Sequence, residues 1–533
     1  MARYTYPKFA TRTAPELSGT APSRYAVAIV GAGPVGLSAA IDLALHGVAS
    51  VVLDDNDVVS VGSRAICWAK RTLEIFDRLG VGQRMVDKGV TWKVGRLFHG
   101  DREVYAFDLL PDDGHRMPAF INLQQYHVEQ YLVDRCHDFP DLIDLRWKNK
   151  VTAVARRADG VTLQVETPDG DYSLTADYVL ACDGARSPVR GMLGLDFAGR
   201  IFEERFLIAD VEMQADFPSE RLFWFEPSFH AGQSALLHKQ PDNIYRIDLQ
   251  LGWDSDPEEE RRPERIIPRI RAMVGDRPFE LDWTSIYTFQ CRRLERFIHG
   301  RVIFAGDSAH VVSPFGARGG NGGIQDVDNL CWKLAMVLRG DAGPSLLHSY
   351  EEERGRGADE NILHSSRATN FMTPKGEMAQ VFRRAVLDLA GRHEFARRLV
   401  NSGRLSQPCS LTGLALQTPA PSQAAGLLEP GTACPDAAIE LPDGQSGFLL
   451  ERLGGCFHLL AIGDVPVSAD IPLPVLRVGN QGIRDTAGQV GQRYGAQALY
   501  LIRPDQHVAA RFHLPDAHTV QRALRRALGD HHA

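Results

Sequence analysis

The sequence has few cysteines, and none of them stands in a recognisable metal or redox motif. Its 533 residues include eight cysteines. None is in CxxC spacing, and none is paired with histidines at the intervals of a metal site. This pattern argues against a disulfide framework and a zinc site, and it excludes thioredoxin-type redox chemistry. We therefore expect reduced thiols, no metal ion and a cytoplasmic location.

The sequence also lacks long apolar runs and an excess of positive charge. No uninterrupted apolar run approaches the roughly 20 residues that a membrane helix needs, and residues 1–23 contain no apolar signal-peptide core. The 59 Lys and Arg residues are outnumbered by 67 Asp and Glu residues, which gives a formal net charge of -8. We expect neither a membrane nor a nucleic acid as a partner. A chain of this length is expected to form two or three domains.

Glycine, in contrast, is clustered where bare backbone has a physical purpose. The apolar run YAVAIV (25–30) is typical of a buried parallel strand, and GAGPVG and a helical pattern follow it. In this order Gly31 makes the tight turn, Gly33 lets a pyrophosphate approach the backbone, and Gly36 lets the helix pack closely. Pro34 and the helix N-terminus behind it complete the phosphate site. The segment predicts a dinucleotide-binding turn.

A second apolar strand, ASVVLDDN (49–56), ends in two acids. Asp54 stands 23 residues after Gly31, close to the roughly 20 expected for the acid that binds a ribose hydroxyl. Asp55 is the competing candidate. The motif alone does not distinguish NAD from FAD.

Two further apolar strands also end in an aspartate. TADYVLACDGARSPVR (175–190) leads to Asp183, and GRVIFAGDSAHVVSPFGARGGNGG (300–323) leads to Asp307 and to a stretch in which five of eight residues are glycine. A nicotinamide dehydrogenase needs no such additional holders. The adenosine, pyrophosphate and ribityl parts of an extended FAD need separate ones, so the strand ends together favour FAD.

These three motifs, in this order, resemble those of the class A flavoprotein monooxygenases, with the fold of p-hydroxybenzoate hydroxylase and the phenol hydroxylases. The resemblance covers roughly residues 24 to 400. It implies an α/β fold, in which a Rossmann-like FAD-binding domain is interleaved with a mixed β-sheet substrate domain. The composition after "SQPCSLTG" resembles the thioredoxin-like C-terminal domain of the longer family members, here without CxxC.

The resemblance also assigns residues to the cofactor. Arg64 in SRAICW and Gln125 in QYHVEQYL are implied to hold FAD, with the neighbouring Gln124 as an alternative to Gln125. Asp307 is implied to bind the ribityl hydroxyls. The remaining implied FAD contacts are Asp183 in the DG motif, Pro314 along the isoalloxazine and the substrate, and the N–H groups around Gly319, Gly320 and Asn321 at the pyrimidine end.

On the substrate side, alternating strands between 200 and 295 indicate a half-buried sheet. ALLHKQPDNIYRIDLQ resembles the hairpin that carries the substrate-carboxylate ligands of p-hydroxybenzoate hydroxylase. The carboxylate-binding Arg there falls at Gln240, a neighbouring Ser falls at His238, and a flavin-side Arg matches Arg246. Because Gln240 carries no charge, a benzoate carboxylate would be poorly paired. Trp224 is a candidate wall for an aromatic substrate, or a core residue.

His238 has two interpretations. Its imidazole titrates in the range that lets it accept a phenolic proton, which would activate the ring. Alternatively, it is a histidine that is hydrogen-bonded within the sheet. We carry His238 and Pro314 forward as the candidate catalytic residues.

The predicted domains follow from these patterns and from composition. Residues 1–23 form an N-terminal arm that is flexible or wraps the surface. The other predicted parts are the FAD-binding domain (24–199 and 296–372, with a substrate-domain segment near 85–120), the substrate-binding sheet domain (200–295), a helical connector (373–407) and the thioredoxin-like C-terminal domain (408–533).

The resemblance implies an FAD-dependent monooxygenase that hydroxylates an aromatic, phenolic small molecule through a C4a-hydroperoxyflavin. O2 would be the oxidant, and NADH or NADPH would visit transiently, since no second GxGxxG is present. An oxidase, dehydrogenase or Baeyer–Villiger enzyme on the same scaffold would keep all three motifs, whereas no WxWxIP stretch marks a halogenase. A non-enzymatic flavin-binding sensor is the alternative of another class. A homodimer is compatible with the sequence, and the substrate is left open.

Overall fold

The computed structural model describes residues 4–20, 24–62, 64–252, 255–400, 407–420, 428–480, 482–513 and 515–530. Parts of the predicted arm (1–3 and 21–23) and of the predicted connector (401–406) therefore lie outside the described residues. In the described part of the chain, no helix is both long enough and apolar enough to span a membrane.

The first 200 residues alternate short helices with strands. In chain order they form α1 (Pro15–Ser18), β1 (Tyr25–Val30), α2 (Pro34–Leu45), β2 (Ser50–Asp54), β3 (Cys67–Ala69), α3 (Lys70–Arg78), α4 (Gly82–Lys88), β4 (Val90–Trp92), β5 (Val94–His99), β6 (Arg102–Asp108), β7 (Phe120–Asn122), α5 (Gln125–Cys136), β8 (Ile143–Trp147), β9 (Lys150–Arg156), β10 (Val161–Glu166), β11 (Tyr172–Ala181) and α6 (Pro188–Met192).

The middle of the chain is strand-rich and ends in long helices. Its elements are β12 (Ala198–Met213), β13 (Arg221–Phe225), β14 (Ser234–Lys239), β15 (Ile244–Leu251), α7 (Pro257–Glu260), α8 (Pro263–Val274), β16 (Phe279–Arg293), β17 (Ile298–His299), β18 (Val302–Phe304), β19 (His310–Val311), α9 (Gly319–Arg339), α10 (Ser345–Met372), α11 (Glu377–Ala390) and α12 (Glu394–Val400).

The last part forms a smaller mixed unit. It comprises β20 (Ala438–Glu440), β21 (Ser446–Phe448), β22 (His458–Ile462), β23 (Val475–Val478), α13 (Gln489–Tyr494), β24 (Ala498–Ile502), β25 (Val508–Phe512) and α14 (Ala517–Ala527).

The first sheet is built around a parallel core in the order β18-β11-β1-β2-β8. The central strands β1 and β2 are almost entirely buried, and α2 packs on them, on β8 and on the helices α5 and α9. The carboxyl ends of parallel strands meet at one edge of a sheet, where α/β proteins bind their ligands. Gly31, Asp54, Asp183 and Asp307 therefore all follow strands that end at the same edge.

The second sheet has the order β19-β16-β12-β15-β14-β13-β5-β6 and is antiparallel except where β13 pairs with β5. Successive side chains point to opposite faces. One face packs on α8 through residues such as Leu207 and Ile247. The other face carries Phe206 and Leu236 and packs against Phe315, in the glycine-rich segment. The second sheet therefore lies over the ligand-binding edge of the first.

The third sheet, in the order β23-β22-β24-β25, belongs to the last part of the chain. Its β22–β23 pair is parallel and its other two pairs are antiparallel. Trp332 of α9 and Leu346 of α10 are buried in the same apolar cluster as Leu459 and Leu499 of this sheet. The thioredoxin-like assignment, like the predicted domain boundaries, stays a prediction.

Candidate active site

The turn from β1 to α2 has the conformation that the GxGxxG motif predicts. Gly31 has a φ of +104°, and a Cβ added to Gly36 would lie 1.9 Å from the carbonyl oxygen of Gly31. Only glycine fits at these two positions. A Cβ on Gly33 would meet nothing within 4 Å. No side chain caps α2, which begins at Pro34, so its first N–H groups are left for a ligand.

The acid at the end of β2 is fixed against this turn. Asp54 Oδ2 accepts a hydrogen bond from the N–H of Ala32 at 2.6 Å, and Oδ1 accepts one from the N–H of Asn56 at 2.8 Å. Burial raises the pKa of Asp54 despite these donors. Asp55 is exposed, and its contact is with the side chain of Asn56. The geometry favours Asp54 over Asp55 as the ribose ligand.

The two glutamines at the start of α5 face different parts of the molecule. Gln125 Oε1 accepts from the N–H of Ala65 at 3.1 Å, and its Nε2 donates to Glu129 at 2.7 Å. Gln124 Nε2 instead donates to the carbonyl of Pro241 at 3.5 Å, in the second sheet's hairpin. Gln125 is therefore the one beside the Arg64 segment, as the resemblance implies.

Arg64, Asp183 and Asp307 are brought to the same edge. Asp183 Oδ2 accepts from the N–H of Val189 at 2.9 Å, while its Oδ1 is buried without a hydrogen-bond partner among the described residues. The Asp307 carboxylate is exposed on the side of the second sheet, yet the surrounding protein removes enough water to raise its pKa. The charges of His310 and Arg64 oppose this rise, which places the exposed Arg64 guanidinium within electrostatic reach.

The glycine-rich segment makes a strained turn and then starts α9. Ala317 donates its N–H to the carbonyl of Pro314 at 3.0 Å, and Gly316 and Ala317 have φ values of +107° and +52°. No side chain caps α9 at Gly319. A Cβ on Gly320 would lie 3.3 Å from the ring of Trp68. The segment therefore presents bare N–H groups in a space bounded by aromatic carbon.

The side chain of Asn321 has a structural role that could not be predicted from its position in the sequence. Its Oδ1 accepts from the N–H of Ala69 at 2.9 Å, and its Nδ2 donates to the carbonyl of Cys67 at 2.9 Å. The side chain thus fastens β3 to the start of α9. Only its backbone N–H is left for the predicted role at the flavin.

Behind this segment lies a buried ion cluster that the sequence analysis missed. Asp326 of α9 accepts from His310 at 2.7 Å, from Arg354 at 2.6 Å and from the N–H of Gly306 at 2.9 Å. Burial alone would raise the pKa of Asp326, but His310 and Arg354 hold it below its usual value. The cluster locks the strand end at Asp307 to two long helices.

These features fit an extended dinucleotide. The space at Gly33, the uncapped starts of α2 and α9, and the carboxylates of Asp183 and Asp307 are polar or open positions spread along one edge. A pyrophosphate, a ribityl chain and a flavin carbonyl would satisfy them in turn.

The second sheet presents four polar residues side by side across adjacent strands. The pairing of Leu222 with Leu237 places Arg221 next to His238, His238 pairs with Arg246, and Arg246 pairs with Asp210. We call Arg221, His238, Arg246 and Asp210 the polar row. Arg246 Nη1 donates to the carbonyl of Arg64 at 3.4 Å, so the row meets the edge of the first sheet. The space between them is called the cleft.

Within the row, Arg246 is already neutralised. Its Nε and Nη2 each lie 2.8 Å from a carboxylate oxygen of Asp210. Gln240 adds a hydrogen bond from its Nε2 to Asp210 Oδ1 at 3.1 Å, and its Oε1 is buried without a partner in the described ranges. The charge of the retained arginine is therefore paired within the protein, and its role toward a substrate stays a prediction.

His238 is buried and neutral. Burial lowers its pKa well below 6.5, and the guanidinium groups of Arg221 and Arg246 lower it further. Its Nδ1 lies 4.0 Å from the Sγ of Cys67. Burial raises the pKa of that thiol to about 11. Both interpretations of His238, as a proton acceptor and as a histidine bound within the sheet, are compatible with an uncharged imidazole on the cleft face.

Of the two interpretations of Trp224, the contacts favour the core residue. Its indole stacks on Phe98 at 5.2 Å between ring centroids and belongs to the apolar layer under α8. Trp224 follows Phe223 by one residue, so it points to the face away from the cleft. Phe206, Phe223 and Phe315 are among the aromatic residues of the apolar cluster on the cleft face.

Two charged residues of the cleft were not found from the sequence. Arg221 stands at the start of β13, and Asp248 lies two residues after Arg246 on the same face of β15. Burial raises the pKa of Asp248 to about 6. Strand alternation could have placed Asp248 there, whereas Arg221 needs the register between β13 and β14, which one sequence does not supply.

A cavity of about 430 Å³ opens beside the cleft, with Trp92, Leu110, Pro118 and Glu220 among its lining residues. The indole N–H of Trp92 donates to Asn122 Oδ1 at 2.8 Å, and the same oxygen accepts from Cys67 Sγ at 3.3 Å. One layer of side chains therefore connects the cavity wall to the polar row. Within the described residues, no group of His, Cys, Asp and Glu is placed to hold a metal ion.

Comparisons with known proteins agree with this geometry. The model of the FAD binding domain family matches residues 24–365, and the chain belongs to that family. A flavin-dependent monooxygenase of Mycobacteroides abscessus is 34% identical over 505 residues, covering 90% of this chain and 96% of the relative.

A 3-(3-hydroxy-phenyl)propionate/3-hydroxycinnamic acid hydroxylase of Mycolicibacterium smegmatis is 29% identical over 364 residues. That match covers 68% of this chain and 64% of the relative's length. The crystal structure of the flavin-dependent monooxygenase PieE with FAD and substrate superposes with a TM-score of 0.79 at 23% identity, covering 95% of this chain and 99% of PieE. These findings confirm the predicted α/β fold, the FAD cofactor and the enzyme class, flavin-dependent monooxygenases.

Proposed function

We propose that this enzyme hydroxylates an aromatic, phenolic compound in the cleft, using FAD, O2 and NADH or NADPH. The observation that carries the proposal is the polar row with its neutral His238, facing a glycine-rich segment that offers N–H groups to a flavin. FAD, when bound, accepts a hydride from the nicotinamide and activates O2. The chain contributes binding, orientation, charge and exclusion of water.

The residues at the edge of the first sheet would hold FAD. We assign the pyrophosphate to Gly31, Gly33, Pro34 and Gly36 with the start of α2. The other assignments are Asp54 to a ribose, Arg64, Gln125 and Asp183 to the phosphate and adenosine side, Asp307 to the ribityl hydroxyls, and Gly319, Gly320 and Asn321 to the pyrimidine carbonyls. The positive end of α9 would stabilise negative charge on the reduced ring.

His238 would accept a hydrogen bond from the substrate hydroxyl and so orient the ring. It is a poor final holder of the proton, because a protonated imidazole would be a third cation beside Arg221 and Arg246. Arg221, the cation of the row that has no carboxylate partner among the described residues, favours the ionised form of a phenol held there. An ionised phenol is the more electron-rich ring, which is the chemistry that a hydroxylase needs from its substrate.

The apolar half of the cleft would keep water from the reacting atoms. The ring of Phe315 lies 5.1 Å from that of Phe206 and 4.9 Å from that of Phe289, between centroids. Pro314, next to Phe315, is exposed, and we propose that it lies along the flavin and the substrate. A dry site also limits loss of activated oxygen as peroxide.

The hydroxylase of Mycolicibacterium smegmatis is named for phenolic carboxylic acids, so such acids belong in the first substrate panel.

All eight cysteines are free thiols, which supports our proposal of a cytoplasmic enzyme. Small molecules and O2 are the proposed partners, and a homodimer stays a prediction.

Anaerobic reduction of the bound flavin by NADH and by NADPH, with and without a panel of phenols, tests the proposal. We expect one phenol to accelerate reduction strongly and, in air, to gain one oxygen atom by mass spectrometry. Fast reduction that no phenol changes, with peroxide as the only oxygen product, would indicate an oxidase or dehydrogenase. No reduction by either nucleotide would instead favour the non-enzymatic flavin-binding sensor.

A further inference from the structure

Arg221 occupies the open end of the polar row. It is the first residue of β13, and the register of β13 on β14 sets it beside His238. Phe223, on the same face of β13, belongs to the aromatic cluster that contains Phe315. The guanidinium of Arg221 therefore faces the cleft. Arg221 on β13 and Arg246 on β15 flank His238, which lies on β14 between them.

This guanidinium has no counter-ion within the part of the chain that the structure describes. No carboxylate oxygen lies within 4.0 Å of it, whereas Arg246, two strands away, is bound by both oxygens of Asp210. Arg221 is partly buried, and burial lowers its pKa. A desolvated cation without a partner costs free energy, so an arginine retained in such a place calls for a ligand.

None of its described neighbours forms an ion pair with it. His238 is neutral, and Cys67 is a protonated thiol at neutral pH. Asp248 is close enough for its charge to be felt at Arg221 but forms no ion pair with it. Two further polar atoms facing the same region, Gln240 Oε1 and Asp248 Oδ1, are buried and make no hydrogen bond to any described residue.

We propose that Arg221 binds an anionic oxygen of the aromatic substrate, either a carboxylate substituent or the ionised hydroxyl, and so selects anionic phenolic compounds. This inference rests on the proposed function and adds to it the substrate's charge and the residue that reads it. A guanidinium is planar and matches two oxygens at once, which suits a carboxylate. The cation that is missing at Gln240 is thus supplied from the adjacent strand.

The test compares Arg221→Gln, which removes the charge, and Arg221→Lys, which keeps it, with the wild type. Arg96→Gln is the matched control, because Arg96 lies on the opposite face of the same sheet and is paired with Glu220 at 3.0 Å. The FAD-loaded proteins are titrated with hydroxyphenyl and hydroxynaphthyl carboxylic acids and with their primary amides. Binding is followed by the change in flavin absorbance.

For a carboxylate, we expect the wild type and Arg96→Gln to bind at least one acid about tenfold or more tightly than its amide. Arg221→Gln should lose that preference, and Arg221→Lys should keep part of it. For an ionised hydroxyl, acid and amide should weaken equally in Arg221→Gln. In that case the absorbance of the bound phenol should show its pKa rising relative to the wild type.

The inference is overturned if Arg221→Gln retains both the acid preference and the pKa of the bound phenol. It is also overturned if the wild type neither prefers an acid to its amide nor lowers the pKa of a bound phenol. Melting temperature and FAD content verify that the variants are folded. Failure of the proposed function is a separate result: acid binding would persist while no bound compound accelerates flavin reduction or gains oxygen.

Discussion

Gly36 and Gly33 of the phosphate turn are needed for different reasons, Gly36 for folding and Gly33 for cofactor binding. A methyl group at Gly36 would lie 1.9 Å from the carbonyl oxygen of Gly31, so Gly36→Ala should destabilise the fold by about 3 kcal/mol or more. A methyl group at Gly33 meets no protein atom within 4 Å. Gly33→Ala should leave the melting temperature of the FAD-free protein unchanged and weaken FAD binding about tenfold or more.

Fluorescence titration with FAD and thermal melting of both variants check this pair. Full FAD affinity in Gly33→Ala would show that the pyrophosphate does not approach this backbone.

Replacing Asp248 by asparagine should stabilise the protein by an amount that depends on pH. Burial raises the pKa of Asp248 from 3.8 to about 6, so its contribution is fully present below pH 4 and is lost as the pH rises through 6. At pH 8 the ionised carboxylate is a cost, and Asp248→Asn should stabilise the protein by about 1–2 kcal/mol. The gain should be nearly constant between pH 8 and 7 and should shrink as the pH falls from about 7 to 4.

Melting temperatures of the variant and the wild type across that range measure the effect. A difference that is constant with pH would mean that Asp248 does not titrate there.

The motif residues could be predicted from the sequence because their chemistry is local. Gly31 and Gly36 are required by a turn a few residues long, and Asp307 follows its strand directly. Arg221 was not predictable, because its position depends on how β13 aligns with β14. The two interpretations of Trp224 could not be separated either, because a shift of one residue along a strand moves a side chain to the other face.

The N-terminal arm acts as a strap across the first sheet's ligand-binding loops. The Tyr6 hydroxyl accepts a hydrogen bond from the N–H of Gly62 at 3.0 Å, two residues before Arg64. Tyr4 stacks on Tyr126 at 4.2 Å between centroids, but its hydroxyl is buried without a hydrogen-bond partner in the described chain. The two tyrosines therefore differ in whether their hydroxyl groups hold the loop.

Tyr6→Phe should weaken FAD binding by about two- to tenfold, the value of one hydrogen bond, because the loop that carries Arg64 loses an anchor. Tyr4→Phe is the matched control and should leave FAD affinity unchanged. Equal affinities in the two variants would show that the arm holds the surface without influencing the cofactor.

The β1–α2–β2 unit and the long helices α9 and α10 could be predicted because their signals are local: short apolar runs for the strands, the glycine motifs, and long stretches without an internal proline for the helices. The docking of the arm could not be predicted. Tyr4, Tyr6 and Phe9 stand in a polar segment with prolines, which has no regular period to read. Their partners, Tyr126 and Trp147, lie more than a hundred residues away along the chain.

A buried ionic cluster joins the FAD-binding helices to the last sheet. Glu353 of α10 accepts from Arg503 at 2.6 and 2.9 Å and from Lys333 at 2.7 Å, and all three are fully buried. Arg503 also pairs with Asp505. Burial alone would raise the pKa of Glu353, but Arg503 and Lys333 hold it below its usual value.

Glu353→Gln should destabilise the protein by about 3–5 kcal/mol, because two buried cations lose their shared partner. The wild type's advantage is present above pH 4.5 and falls as the pH drops toward acid. The control is Glu394→Gln, which breaks an exposed pair with Arg398 and should change little. Thermal melting of both variants at several pH values measures the effect. Equal melting temperatures in the two variants would show that Glu353 does not stabilise the protein through the buried cluster.

The cluster also bears on how the C-terminal part is understood. Composition marks a boundary near residue 408, which suggests a separable domain. Trp332 and Leu346, from the FAD-binding helices, are nevertheless buried in the apolar cluster of the last sheet. Contacts between residues so far apart in sequence cannot be inferred from one chain, and they give these two parts a shared apolar core.

The burial of Cys67 affects how easily its thiol is oxidised. Any peroxide that formed at the flavin would reach the side chains of the cleft first, and a thiolate there would be open to oxidation. Cys67 lies beside His238, yet its thiol keeps its proton at neutral pH. Since the thiolate is the form that peroxide attacks, the burial that neutralises this site also protects it from its own oxidant.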